Sequence, residues 1–170
     1  VPRISVAIPT DNPPEFSYHA HIPIGTDHEQ AFFGAFASGI DMRGDPLFAQ
    51  APDPLLINAS IDDQLNPPRG VWDLADDLEK AYGAYDSPER FKVYMSASDH
   101  GYDSRDQRET AYAWMLRWMD GGDASFHEEA AELHAPEALQ VTPEGDVHQL
   151  DESREPQELV ISYLERHRPN

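Results

Sequence analysis

Two short segments carry residue types that can move protons. The first is Ser60-Ile61-Asp62-Asp63-Gln64-Leu65-Asn66-Pro67-Pro68, and the second is Ser98-Asp99-His100-Gly101-Tyr102. An imidazole titrates near neutrality, so it can take a proton from a hydroxyl and return it to a leaving group. A carboxylate beside it fixes the tautomer and steadies the imidazolium, the division of labour found in a Ser-His-Asp triad. The same residues also suit ordinary turns. A histidine in a glycine-containing loop is commonly a surface residue, and Asp-Asp before Pro-Pro is usual turn and helix-start composition. Spacing alone leaves both readings open.

Other groups of residues invite chemistry less strongly. His19-Ala20-His21, followed by Asp27-His28-Glu29, would put two imidazoles on one face of an extended segment, where zinc could bind with a carboxylate. A single His-x-His is weak evidence, and polar loop residues are the favoured reading. Phe32, Phe33 and Phe36 would line an acyl or sugar pocket or, more simply, pack a core or lid. Trp114 and Trp118 fall on a helical stripe and read as packing residues. The acidic run 128–132 reads as a solvated face. No metal or organic cofactor is expected.

The elements that must position the two loops follow from periodicity. Residues 4–8 read as a short buried strand ended by Pro9, and the Pro-, Gly- and aromatic-rich stretch to about residue 50 reads as loops with short helices. Residues 55–59 form a near-continuous apolar run, which suits a strand covered on both faces. After Pro67-Pro68 and Gly70, the residues Val71, Leu74, Ala75, Leu78, Ala81 and Tyr82 recur at helical spacing, with Asp73, Asp76, Asp77, Glu79 and Lys80 opposite. Residues 91–96 alternate as a strand. Ser104 and Gln107 make a capping-box pair before a helix whose stripe is Ala111, Trp114, Met115, Trp118 and Met119, ended by Gly121-Gly122. Strand, helix, strand and helix in this order imply an α/β fold, a parallel sheet with crossover helices. In such sheets functional residues gather on loops at the carboxyl ends of strands, and both proton-moving segments occupy that position.

Beyond Gly122 the pattern changes, so 1–122 is read as the main domain and 123–170 as an acidic extension or linker. Within the extension, 127–133 is expected as a short helix, 138–142 as a strand, Pro143-Glu144-Gly145 as a turn and 159–166 as a helix.

Charge narrows the partners. There are 32 acidic residues against 12 basic ones, a net charge of −20, and only Lys80 and Lys92 are lysines. Such a surface repels phosphate backbones and disfavours nucleic acid. Adaptation to high salt is one reading of it, favoured by the scarcity of lysine; a solvated acidic tail is the other. No apolar run approaches the ~20 residues of a membrane-spanning helix. The absence of cysteine removes disulfides, thiolate nucleophiles and Cys-ligated zinc. Val1 in place of Met suggests a missing or processed start, and no signal peptide opens the chain.

A wider pattern joins these pieces. Ala51-Pro52-Asp53-Pro54-Leu55-Leu56-Ile57, Asp62-Asp63-Gln64-Leu65-Asn66-Pro67-Pro68, Ala81-Tyr82-Gly83-Ala84, Pro88-Glu89-Arg90-Phe91, the His100 segment and Ala111-Tyr112-Ala113-Trp114-Met115-Leu116-Arg117-Trp118-Met119 occur in that order. Phe33-Gly34 and Gly39-Ile40-Asp41-Met42 precede them. Together, from about Arg3 to Gly121, they resemble the C-terminal half of an α/β-hydrolase, nearest to acetyl xylan esterase and cephalosporin deacetylase-like enzymes within the prolyl-oligopeptidase-like group. The resemblance implies that His100 is the triad histidine. It implies that the acid is Asp63, by counting from Pro54 and from Pro67-Pro68, or Asp62, by the short Ala-x-x-Asp phrase; Asp63 is preferred. Ser60 stands where the family usually has Gly.

One member of the triad is missing. The family's nucleophile sits in Gly-x-Ser-x-Gly, and the nearest approach here, Ser38 in Phe36-Ala37-Ser38-Gly39, lacks the first glycine. The resemblance puts the serine and the oxyanion amides upstream of Val1, in a missing N-terminal half or a companion chain. The expected activity is a serine hydrolase acting on carboxylic esters such as carbohydrate O-acetyl groups, incomplete in this chain alone. A prolyl-oligopeptidase-like peptidase and a non-catalytic α/β interaction module are the alternatives.

Overall fold

The computed structural model describes residues 4–11, 37–41, 44–101, 104–122, 125–150 and 153–168. The chain divides into two units, Val1–Glu128 and Glu129–Asn170.

The first unit is mixed α/β and is organised around β1 (Leu55–Ser60), in which every residue is buried. Its parallel partner β2 (Phe91–Ser96) runs in register from Leu55 opposite Phe91 to Ser60 opposite Ser96. On the other side of β1, parallel bridges join Ala7 to Leu55 and Thr10 to Asn58. The expected strand over 4–8 is therefore a pair of isolated bridges, and pairing continues past Pro9. Ala7 N–H donates to Pro54 O (2.9 Å), Pro9 O accepts from Asn58 N–H (3.0 Å), and Asp11 N–H donates to Asn58 O (2.8 Å). The ladder's next bond would run from residue 9 to Leu56 O, but proline has no N–H to give. Pro9 thus removes one rung without ending the contact.

Alternation along β1 sends its residues to two faces. Leu55, Ile57 and Ala59 cluster with Val71, Leu74, Leu78 and Tyr82 of α2 (Pro68–Ala84), while α1 (Asp45–Phe48) adds Leu47 and Phe48 at the margin. Helix α2 begins at Pro68, where a missing N–H goes unnoticed because the first turn has no acceptor for it. Its exposed face carries Asp73, Asp76, Asp77, Glu79 and Lys80 as the periodicity requires. Each buried leucine of this cluster contributes about 1.5–3 kcal/mol. Tyr82 closes the far end by stacking on Phe91, with centroids 5.4 Å apart, and by donating its hydroxyl to Asp53 O (2.6 Å).

The opposite face of β1 is polar where it meets α3 (Arg105–Met115). Asn58 Nδ2 donates to Gln107 O (3.0 Å), and Gln107 Nε2 donates to Ser60 Oγ (2.9 Å). Ser104 is the N-cap residue of α3, but its hydroxyl donates to Gln107 Oε1 (2.9 Å) and makes no cap bond to the backbone. The expected capping box is absent because the Gln107 Oε1 it needs as acceptor takes the Ser104 hydroxyl instead of the backbone N–H. The apolar stripe is narrower than expected. Ala111 and Trp114 are buried, whereas Met115 and Met119 are exposed. Residues 107, 111 and 114 face the sheet, and the wider Met edge has little sheet to cover it. The helix widens into a π-turn over Leu116–Asp120, and Gly121 ends it at φ +66°.

The segment after Gly122 does not form the helix expected over 127–133. Instead Glu128 takes a forked ion pair from Arg108 (2.9–3.2 Å) and donates its N–H to Glu109 Oε1 (2.8 Å). In the second unit, the strand expected over 138–142 is replaced by the one-turn helix α4 (Pro136–Leu139). Pro136 occupies the first helical position, and among the described residues of this unit there is no strand. Gly145 N–H closes the expected turn on Thr142 O (3.1 Å). Helix α5 (Pro156–Arg166) includes the expected 159–166 segment. Among the described residues, no helix is long and apolar enough to cross a membrane.

Candidate active site

Parallel pairing brings three segment ends together: residue 11 after the bridged segment, 61–66 after β1 and 97–101 after β2. The β1 loop is shaped by Asp63. Its Oδ1 accepts the backbone N–H groups of Leu65 (2.8 Å) and Asn66 (3.0 Å), so the carboxylate folds the chain over itself ahead of Pro67-Pro68. Its Oδ2 accepts from Asn66 Nδ2 (2.8 Å) and meets His100 Nδ1 at 2.9 Å. The Asp63 side chain is 1% exposed and the His100 side chain 39% exposed, so a buried carboxylate holds a ring that reaches solvent.

These contacts select the tautomer. Asn66 Nδ2 has two hydrogens, and its acceptors are Asp63 Oδ2 and Asp11 O (both 2.8 Å). Its 3.3 Å approach to His100 Nδ1 is therefore proximity and not a third bond. Nδ1 then carries the proton that Asp63 accepts, and the lone pair of the neutral ring lies on Nε2. This is the state a general base requires.

The β2 loop is pinned at several points. Ser96 Oγ lies 3.0 Å from Ser104 Oγ, closing the loop at its base. Ser98 O accepts from Asp62 N–H (3.1 Å), Ser98 Oγ lies 3.1 Å from Ser60 Oγ, and His100 N–H donates to Asp99 Oδ1 (2.6 Å). At the start of α3, partial desolvation opposes ionisation of the largely exposed Asp106. The hydroxyls of Tyr94 and Ser96, which donate to it at 2.7 and 2.8 Å, outweigh this and hold the carboxyl at about 2. Tyr94 in turn is pushed up, chiefly by donating to that carboxylate (2.7 Å).

Of the residues expected from sequence, His100 and Asp63 meet. Asp62 is exposed and joins the His100 loop through its backbone N–H. Ser38 lies exposed on a turn. His19, His21, Asp27, His28, Glu29, Phe32, Phe33 and Phe36 lie outside the described residues.

Sequence reasoning missed Asp11 and the role of Asn66. The rule that functional groups sit at carboxyl ends of parallel strands applies to the first segment as well as to β1 and β2, and that signal points to residue 11. Ligand atoms of Asp11, Asp63 and His100 lie within 4.8 Å of one another, a set with the chemistry of a divalent-metal site. Asp11 already accepts Ser60 Oγ and Gly101 N–H, and Asp63 accepts four donors. An ion taken up through Nδ1 would displace the proton that Asp63 accepts, so the hydrogen bonds present fit a carboxylate–imidazole pair. No family model, curated protein or solved structure matches the chain.

Proposed function

We propose that this chain carries the acid–base part of an α/β-hydrolase-type serine hydrolase, with His100 as general base and Asp63 as its orienting acid. The single observation behind this is the 2.9 Å contact between His100 Nδ1 and Asp63 Oδ2, made by loops at the carboxyl ends of adjacent parallel strands. In this reading a serine supplied from outside these 170 residues attacks a carbonyl. His100 Nε2 takes the serine proton and delivers it to the leaving alcohol, while Asp63 stabilises the imidazolium. The sequence resemblance favours carboxylic esters, carbohydrate O-acetyl groups among them, over peptides.

The test uses the full-length gene product with nitrophenyl acetate and a peptide anilide. Ester hydrolysis that falls at least about 10,000-fold in His100→Ala supports the assignment. Full activity in that variant removes His100 from the mechanism, and preferential anilide cleavage replaces the esterase by a peptidase. A gene with no Gly-x-Ser-x-Gly upstream of Val1 and no serine-bearing companion leaves an α/β interaction module.

A further inference from the structure

We infer that Asp11 is a positioning residue for His100, holding the histidine loop in place and setting a second carboxylate beside the imidazole. This rests on the reading of His100 as the base, and it concerns a residue outside the Ser-His-Asp set.

Asp11 is buried, with 7% of its surface exposed, and both carboxylate oxygens are engaged. Oδ2 accepts the N–H of Gly101 (2.7 Å), the residue next to His100 and 90 positions along the chain. Gly101 has φ +131°, a conformation side chains rarely adopt, so the bond holds the loop at a point where glycine is favoured. Oδ1 accepts the hydroxyl of Ser60 (2.9 Å), which itself accepts from the buried amide of Gln107 (2.9 Å). A glycine at position 60, usual in the resembled family, would offer no hydroxyl.

The main chain is held as firmly. Asp11 N–H donates to Asn58 O, and Asp11 O accepts the Asn66 amide that also binds Asp63. Asp11 itself sits at φ +45°, a strained region for a side chain that persists only where the surroundings impose it.

Electrostatics adds a second consequence. Asp11 lies within 4.8 Å of both Asp63 and His100, and two carboxylates so close favour a cation between them. Among the described residues, the carboxylates beside the ring or on the segments that hold it are Asp63 and Asp62 of the β1 loop, Asp11 of the first segment and Asp99 of the ring's own loop. Asp11 therefore stabilises the imidazolium that forms when His100 takes a proton.

The experiment is an NMR titration of the full chain, with His100 identified by comparison with His100→Ala. In Asp11→Asn the His100 midpoint should fall by about one pH unit. In Ser60→Ala the charge remains, so the midpoint should hold within a few tenths while Gly101 amide exchange accelerates several-fold. In the unaltered chain the Gly101 amide proton should follow a carboxylate titration in addition to that of His100. A folded Asp11→Asn chain with an unmoved His100 midpoint overturns the proposal. Should that variant not fold, the absence of a carboxylate step at the Gly101 amide overturns it instead. In the serine-bearing product, Asp11→Asn should lower kcat about tenfold at neutral pH with KM within twofold, and move the acid limb of the pH profile down by the same unit. Failure of the base assignment reads out separately, as activity surviving in His100→Ala.

Discussion

Replacing Asp63 by Asn tests the site with almost no change of shape. Two backbone N–H groups point at Oδ1, from Leu65 and Asn66, and neither can turn away. The new amide must therefore keep its oxygen there and put its NH2 where Oδ2 was. That NH2 meets Asn66 Nδ2, formerly a donor at 2.8 Å, and His100 Nδ1 at 2.9 Å. Asn66 cannot flip without abandoning Asp11 O. The imidazole has an escape: it moves its proton to Nε2 and accepts at Nδ1. The losses are one charge-assisted contact, discounted because the His100 side chain is 39% exposed, and one stranded buried donor on Asn66. Together they amount to about 3 kcal/mol, which corresponds to a melting temperature lower by about 6–12 °C. ¹⁵N-histidine spectra should show the protonated nitrogen switching from Nδ1 to Nε2, and thermal melts should show the fall in stability. Under the proposed function, the serine-bearing product should lose on the order of 10⁴ in kcat, because the nitrogen assigned as base would now hold a proton. A variant that keeps the Nδ1–H tautomer and the original melting temperature would refute this account of the hydrogen bonds.

Two further expectations concern charge. Asp106, held at about 2 against a usual 3.8, stabilises the fold above about pH 3.8 and loses that contribution as the pH falls toward 2. Because the residue is exposed, solvent screening reduces the effect to about 0.5–1 kcal/mol. Asp106→Asn should therefore melt lower than the parent at pH 6, with the gap closing below pH 4; a gap independent of pH would contradict this. The net charge of −20 predicts that potassium chloride stabilises the chain, since the screening length shrinks from about 30 Å at 0.01 M to about 3 Å at 1 M. A melting temperature that stays level or falls across that range would remove the case for high-salt adaptation.

Local patterns were readable wherever one face of an element is buried along its length. Helix α2 shows its apolar side at Val71, Leu74, Leu78 and Tyr82, and β2 sends Phe91, Val93 and Met95 against the same cluster, because packing on one side imposes the period. The reading failed where local preference met no partner or an unexpected one. Residues 138–142 pair with no strand among the described residues, Glu128 was taken by Arg108, and the Gln107 Oε1 took the Ser104 hydroxyl instead of a backbone N–H. His100 and the 62–63 pair were legible as candidates because both follow strands.

By itself, then, the sequence determined the strand–helix order, the acidic surface and the two loops able to supply a base and its acid. Only the tertiary structure decided that Asp63 and not Asp62 turns to the imidazole and sets its tautomer, that Asn66 ties the Asp63 loop to Asp11 O, and that Asp11 reaches Gly101. Those contacts span 37, 55 and 90 positions. No local periodicity encodes them, because they exist only after parallel pairing has brought three separate chain ends to one edge of the sheet.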